Sequence, residues 1–115
     1  MEIKESRTGE ILVLDITGKL DAISSEALNK ELAVVIEKDR NLIINCKGID
    51  YISSSGIRSL LLAAKHLKEK GHFALCELSE SVKEVFEIAG LMKVFPIYSQ
   101  LSEAVEDFSR HAGSR

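Results

Sequence analysis

Two short apolar runs, "NLIINCK" at residues 41–47 and "HFALCEL" at residues 72–78, constrain the fold more tightly than any other feature of the chain. Each is nearly continuous in aliphatic, aromatic and thiol side chains where a half-exposed strand would alternate, which is the pattern of a strand covered on both faces. Between them lies a stretch with apolar residues at helical spacing. Strands so covered and so separated belong to parallel βαβ units.

The flanking segments complete the layout. "ILVLDIT" at 11–17 is rich in β-formers, and the alternating "EIKES" before it pairs with it across "RTGE", giving a hairpin with strands at 2–6 and 10–17. A first helix is expected over 24–38, capped by Ser24 or Ser25, with Leu28, Leu32, Val35 and Ile36 at helical spacing. Gly48 is expected to end the strand that follows. A second helix covers 55–70, closed by Gly71, with Lys68 and Lys70 in its last turn where cations suit the dipole. The third opens at Ser79 or Ser81 and turns Val82, Val85, Phe86 and Ala89 to one face. "VFPIY" reads as a last short strand, placed at a sheet edge by Pro96, and "SQLSEAVEDFSRHA" as a fourth helix with Leu101, Ala104, Val105 and Phe108 inward.

The order ββαβαβαβα implies an α/β fold: a small mixed sheet whose first hairpin is antiparallel and whose later strands are parallel, with about four helices. A single domain over 1–112 and a frayed tail at 113–115 are expected. The 115 residues, 45% hydrophobic and 29% charged, suit one core. Cys46 and Cys76 sit inside apolar runs and read as buried thiols of a reducing compartment, hence a cytoplasmic protein. The first ten residues are charged, and no apolar run approaches the roughly 20 residues of a membrane span, so neither export nor a membrane partner is expected.

A formal net charge of −3 with bases scattered among acids argues against nucleic acid as partner, as do 5% aromatics and no Trp. Enzymatic signatures fail as well. A nucleophile elbow needs Gly two residues before the serine, where Ile52 precedes Ser54. His66, His72 and His111 lack metal-ligand spacing and read as surface histidines, and there is no phosphate-cradling glycine loop. The expectation is therefore a non-enzyme without a metal or cofactor of its own. A serine hydrolase rests on the serine cluster alone.

That cluster, "SSSG" at 53–56, opens the second helix. One of Ser53, Ser54 and Ser55 suffices as N-cap. Gly56 costs up to about 1 kcal/mol against Ala inside a helix, so either a neighbouring strand crowds it or something approaches from outside. A phosphate on one of these serines would be held by the unpaired amides and positive dipole end of the helix. At 100° per residue the helix turns Ile57, Leu60, Leu61, Ala64 and Leu67 inward and leaves Arg58, Ser59, Leu62, Ala63, His66 and Glu69 outward. Leu62 with Ala63, rimmed by Arg58 and Glu69, then reads as a docking face.

Over residues 9–108 the chain resembles the STAS domains, specifically the stand-alone bacterial anti-sigma factor antagonists. "TGKLDAISSEAL" is similar to the family's G-x-L-D segment, "LIINCKGIDYISSSGIRSLL" to its strand and D-S-S-G-L signature, and "VKEVFEIAGLMKVFPIYSQLSEAV" to its third helix, connector, last strand and final helix. Ser53 replaces the signature's aspartate, and Arg58 stands where many members carry a small residue. The resemblance implies an antagonist that, unphosphorylated, binds an anti-sigma factor that is also a serine kinase and so frees the sigma factor for transcription. It implies Ser54 as phosphoacceptor, with Ser53 and Ser55 as alternatives, and Asp21, Ser53, Ser55 and Gly56 as partner contacts, to which the outer face of the second helix adds Arg58 and Leu62. ATP and Mg²⁺ would belong to the kinase, a metal-dependent serine phosphatase would be a further partner, and the free protein would be a monomer. The alternative is a constitutive STAS scaffold or sensor module that binds partners or a small ligand without phosphorylation at Ser54.

Overall fold

β1 (Glu2–Thr8) and β2 (Ile11–Leu20) form the expected hairpin, paired antiparallel from Glu2↔Thr17 to Thr8↔Ile11. In the computed structural model, which describes residues 1–113, they are followed by α1 (Ala22–Lys38), β3 (Asn41–Ile52), α2 (Ser54–Lys70), β4 (His72–Cys76), α3 (Glu80–Ile88), β5 (Ile97–Tyr98) and α4 (Leu101–Gly113). The sheet order is β1-β2-β3-β4-β5, and every pairing after the hairpin is parallel. Gly113, expected in the tail, lies in α4, and the rest of that expected tail, 114–115, lies outside the described residues.

The doubly covered strands explain the layers. Alternate residues of a strand face opposite ways, and Leu12, Leu14 and Ile16 of β2, Leu42, Ile44 and Cys46 of β3, and Phe73 and Leu75 of β4 meet α1, α2 and α3 in one cluster. Ile11, Val13, Ile43, Ala74 and Cys76 point the other way and are covered by Ala104 and Phe108 of α4. Successive right-handed crossovers along one direction of a sheet place their helices on one face. Here the fourth helix covers the remaining face. The two cysteines are buried and free, and their membership of opposite clusters separates their side chains by the sheet itself. No helix of the described residues is long and apolar enough to cross a membrane.

Several boundaries differ from expectation, and one matters for the site. β2 and β3 do not stop at Gly18 and Gly48: the ladder shifts register between Asp15 and Thr17 and again between Gly18 and Lys19, then resumes to Leu20↔Ile52. A Cβ at Gly48 would stand 2.4 Å from Thr17 Cγ2, so this glycine permits close strand approach at an irregularity rather than ending the strand. Consequently the two strands end side by side.

α1 begins at Ala22, two residues before the expected start, because Asp21 caps it in place of Ser24 or Ser25. Its carboxylate accepts from the amides of Ile23 and Ser24 at 3.1 and 3.0 Å, while the Ser24 hydroxyl accepts from the Asp21 amide at 2.8 Å, a reciprocal capping box. On α2, Ser59 and Ala63 are buried rather than outward. This helix packs against α1 as well as the sheet, which turns its buried arc. Ala89 is exposed because α3 ends before it, whereas Val82 and Phe86 are buried as expected.

Candidate functional site

The joint ending of β2 and β3 brings the starts of α1 and α2 together. The amide of Ser53 donates to the carbonyl of Leu20 at 2.9 Å, tying the turn before α2 to the turn before α1. Asp21 and Ser53 are the respective caps, each one residue past a paired strand end. In a parallel sheet these carboxyl ends of strands, with helix N-termini above them, are where ligand and partner groups commonly gather.

The four residues of "SSSG" have distinct places. Ser53 is the N-cap: its hydroxyl oxygen accepts from the Gly56 amide at 3.3 Å. Ser54 is the first helical residue and exposed, and its hydroxyl has no hydrogen-bond partner among the described residues. Ser55 is half-buried, and its carbonyl, not its side chain, accepts from the Ser59 hydroxyl at 3.2 Å. Gly56 is buried, and a Cβ there would lie 2.7 Å from Leu20 Cγ, 2.9 Å from Leu20 O and 3.0 Å from Ile52 Cγ1. Of the two reasons for a glycine here, internal crowding by the ends of β2 and β3 accounts for it.

Because Ser54 and Ser55 occupy the first two helical positions, their amides have no intrahelical acceptor. An oxyanion at the Ser54 hydroxyl would find these donors and the positive end of α2 beside it. Across the turn stands a negative charge. The Asp21 carboxyl is held below the usual carboxylate range, first by the amide of Ser24 and then by its hydroxyl, so it stays ionised. Arg58 is exposed at the fifth position of α2, with no ion pair among the described residues.

Leu62 is exposed as expected, at 57%, but Ala63 is not its neighbour on the surface. The apolar companions lie elsewhere. Ile23, 82% exposed in the first turn of α1, and Tyr51, 51% exposed near the end of β3, stand two residues from Asp21 and Ser53 respectively. Sequence reasoning missed both, since Ile23 fell before the expected helix start and Tyr51 after the expected strand end. The signal was present in "LDAIS" and "IDYIS", where a large apolar residue stands two positions from each cap.

None of the three histidines serves this site. His66 is 12 positions beyond Ser54 on α2, about 18 Å by helical rise, so it cannot act as base for that hydroxyl. His72 begins β4 and contacts Phe108 and His111 with ring centroids 5.6 and 5.5 Å apart, and His111 lies within α4 rather than in a tail. No group of three or more His, Cys, Asp or Glu suited to a metal occurs among the described residues.

Comparison with known proteins agrees with the fold. The STAS domain family model matches residues 2–104. A Bordetella bronchiseptica protein described as an anti-sigma factor antagonist, BtrV, is 34% identical over 110 residues, covering 94% of this chain and 95% of its own. The crystal structure of a Thermotoga maritima protein similarly described superposes with a TM-score of 0.87 at 18% identity, over 93% of this chain and 94% of that one. SpoIIAA, a Bacillus anti-sigma factor antagonist, in its unphosphorylated form gives a TM-score of 0.77 at 23% identity, over 92% and 95%.

Proposed function

The chain belongs to the STAS domain family, and from that premise we propose that it is an anti-sigma factor antagonist whose binding is switched by phosphorylation of Ser54. The observation that carries the proposal is the Ser54 hydroxyl: exposed, without an internal partner, and set at the positive end of α2 where two amides are unpaired. The naming of similar proteins as anti-sigma factor antagonists supports the same reading.

In the unmodified state, the turns carrying Asp21, Ser53, Ser55 and Gly56, together with Arg58 and Leu62 of α2, face an anti-sigma factor that is also a serine kinase. Ile23 and Tyr51 add apolar area to that face. Binding occupies the anti-sigma factor and releases the sigma factor to direct transcription. The kinase, using its own ATP and Mg²⁺, transfers the terminal phosphoryl group to Ser54 and thereby loses its partner. A metal-dependent phosphatase hydrolyses the ester and restores the antagonist. The free antagonist acts as a cytoplasmic monomer.

The test is incubation with the cognate anti-sigma factor kinase and ATP, followed by phosphopeptide mapping. Phosphate should appear on Ser54, vanish in Ser54→Ala, and leave Ser54→Asp unable to bind the kinase. Phosphate confined outside residues 53–55, or undiminished binding by Ser54→Asp, refutes the proposal.

A further inference from the structure

β5 is too short to cover the edge of β4. Only Leu75 and Cys76 find partners on it, in Ile97 and Tyr98, so the first half of β4 has an open side. The amides of Leu75 and Glu77 donate toward that side, to the carbonyls of Pro96 and Tyr98 at 2.9 and 3.0 Å, while the His72 amide donates the opposite way, to Arg40 O at 2.8 Å. Backbone groups alternate along a strand. The Phe73 amide is therefore aimed at the uncovered edge, with no strand there to accept it.

Helices on opposite faces of the sheet wall this gap. It is a groove of about 590 Å³ between the C-terminal half of α2 and the middle of α4, within the range of small-molecule sites. Leu61, Phe73, Pro96 and Phe108 give it an apolar lining. Lys65 and Lys68, one turn apart on α2, supply the charge on one wall and form no ion pair among the described residues. On the other wall the Asp107 carboxylate accepts from the Tyr98 hydroxyl and from Arg110 at 3.1 Å, so its charge is already engaged.

We infer that this groove binds a small amphiphilic carboxylate, with the carboxylate taken by Lys65, Lys68 and the Phe73 amide and an acyl or aryl body laid along the apolar lining. The charge complement decides the class of ligand: two unpaired cations and an amide without a ladder partner suit an anion, and the apolar part of the lining suits an acyl or aryl body. A peptide strand is a poor fit, because the open edge of β4 spans only His72–Ala74 before β5 begins. The site lies on a different part of α2 from Ser54 and does not depend on the phosphorylation switch.

The test is titration of the ¹⁵N-labelled full chain with sodium dodecanoate below its micellar concentration, read by amide chemical shifts. Saturable shifts are expected at Lys65, Lys68 and Phe73. Affinity should fall about tenfold or more in the Lys65→Glu, Lys68→Glu double variant. Both side chains are exposed, so that variant folds, and a Lys30→Glu, Lys83→Glu double variant, at exposed positions on α1 and α3 outside the groove, controls for the same change of net charge. Dodecanol should bind more weakly than dodecanoate. The inference is overturned by no saturable shift up to about 1 mM, by equal affinity in the double variant, by shifts centred on Ile23 and Tyr51, or by binding to anionic vesicles alone.

Discussion

The three serines can be separated by stability and modification together. Ser53→Ala removes the oxygen that accepts from the Gly56 amide, and at 3.3 Å that bond is long, so the loss should fall at the lower end of the usual capping range, about 0.5–1 kcal/mol. For 115 residues at about 2.1 cal/mol/K each, the unfolding entropy is about 0.24 kcal/mol/K, and the melting temperature should fall by about 2–4 °C. Ser54→Ala removes an exposed hydroxyl with no partner among the described residues and should change stability by less than about 0.5 kcal/mol. Ser55 contributes its carbonyl to Ser59, which alanine retains, so Ser55→Ala should also be close to neutral. Circular-dichroism melts of the three variants, run beside phosphorylation by the kinase, give the two readouts. Ser53→Ala should lower the melting temperature yet still be phosphorylated, and Ser54→Ala should keep its melting temperature yet take up no phosphate. A Ser54→Ala variant less stable than Ser53→Ala would refute the division of roles.

Other outcomes follow from the same geometry. Gly56→Ala places a Cβ 2.7 Å from Leu20 Cγ and 2.9 Å from its carbonyl, an overpacking of about 1–3 kcal/mol. Alanine's helical advantage offsets up to about 1 kcal/mol of this, but one crowding atom is the Leu20 backbone carbonyl, which cannot swing aside, so the overpacking should fall at the upper end of that range, the urea midpoint should drop, and an unchanged midpoint counts against the crowding argument. Asp107 is held below its ordinary value of 3.8, first by the Tyr98 hydroxyl and then by Arg110. Its folded pKa being the lower one, its contribution to stability is present above pH 3.8 and is lost as pH falls through the folded value. The stability gap between the parent and Asp107→Asn should accordingly persist above pH 3.8 and close below it, as followed by melts across pH. Burial pushes the Cys46 thiol up and the Cys76 thiol up to about 12. Native protein should therefore resist a thiol-reactive disulfide reagent that titrates both groups after denaturation.

Much of the fold was legible because it rests on local periodicity. The continuous runs at 41–47 and 72–78 became β3 and β4 with residues committed to both faces, and Pro96 immediately precedes the edge strand β5. What escaped was tertiary. Gly18 and Gly48 look like strand ends when each is read against its own neighbours, whereas together they admit a register shift that only the β2–β3 pair reveals. Asp21 reads from the sequence as a family position, but Ser24 and Ser25, three and four residues on, are equally good caps in isolation and hide its capping role. A helical projection that knows only one buried side turns Ser59 and Ala63 outward, and α1 supplies the second. At the site, residue identities were readable from "SSSG", but the assignment of one cap, one exposed hydroxyl and one crowded glycine needed the neighbouring ends of β2 and β3.

That assignment bears on how a phosphate at Ser54 would act. The Ser54 hydroxyl makes no internal hydrogen bond among the described residues and is exposed, so modification has little in the fold to break. The unpaired amides of Ser54 and Ser55 would favour the added charge, whereas the ionised Asp21 across the turn would oppose it. These opposing local effects leave the phosphate at the surface at the start of α2, where Ile23 and Tyr51, each two residues from a cap, are exposed as well. A partner covering those apolar groups would have to strip water from a group carrying about −1.5 to −2 charges, and an uncompensated buried charge costs several kcal/mol. Each 1.4 kcal/mol is about tenfold in affinity, so desolvation alone suffices to dismiss the partner. The proposed switch thus works by exclusion at an intact surface, and the phosphorylated and unphosphorylated proteins should have nearly the same backbone amide shifts beyond the starts of α1 and α2.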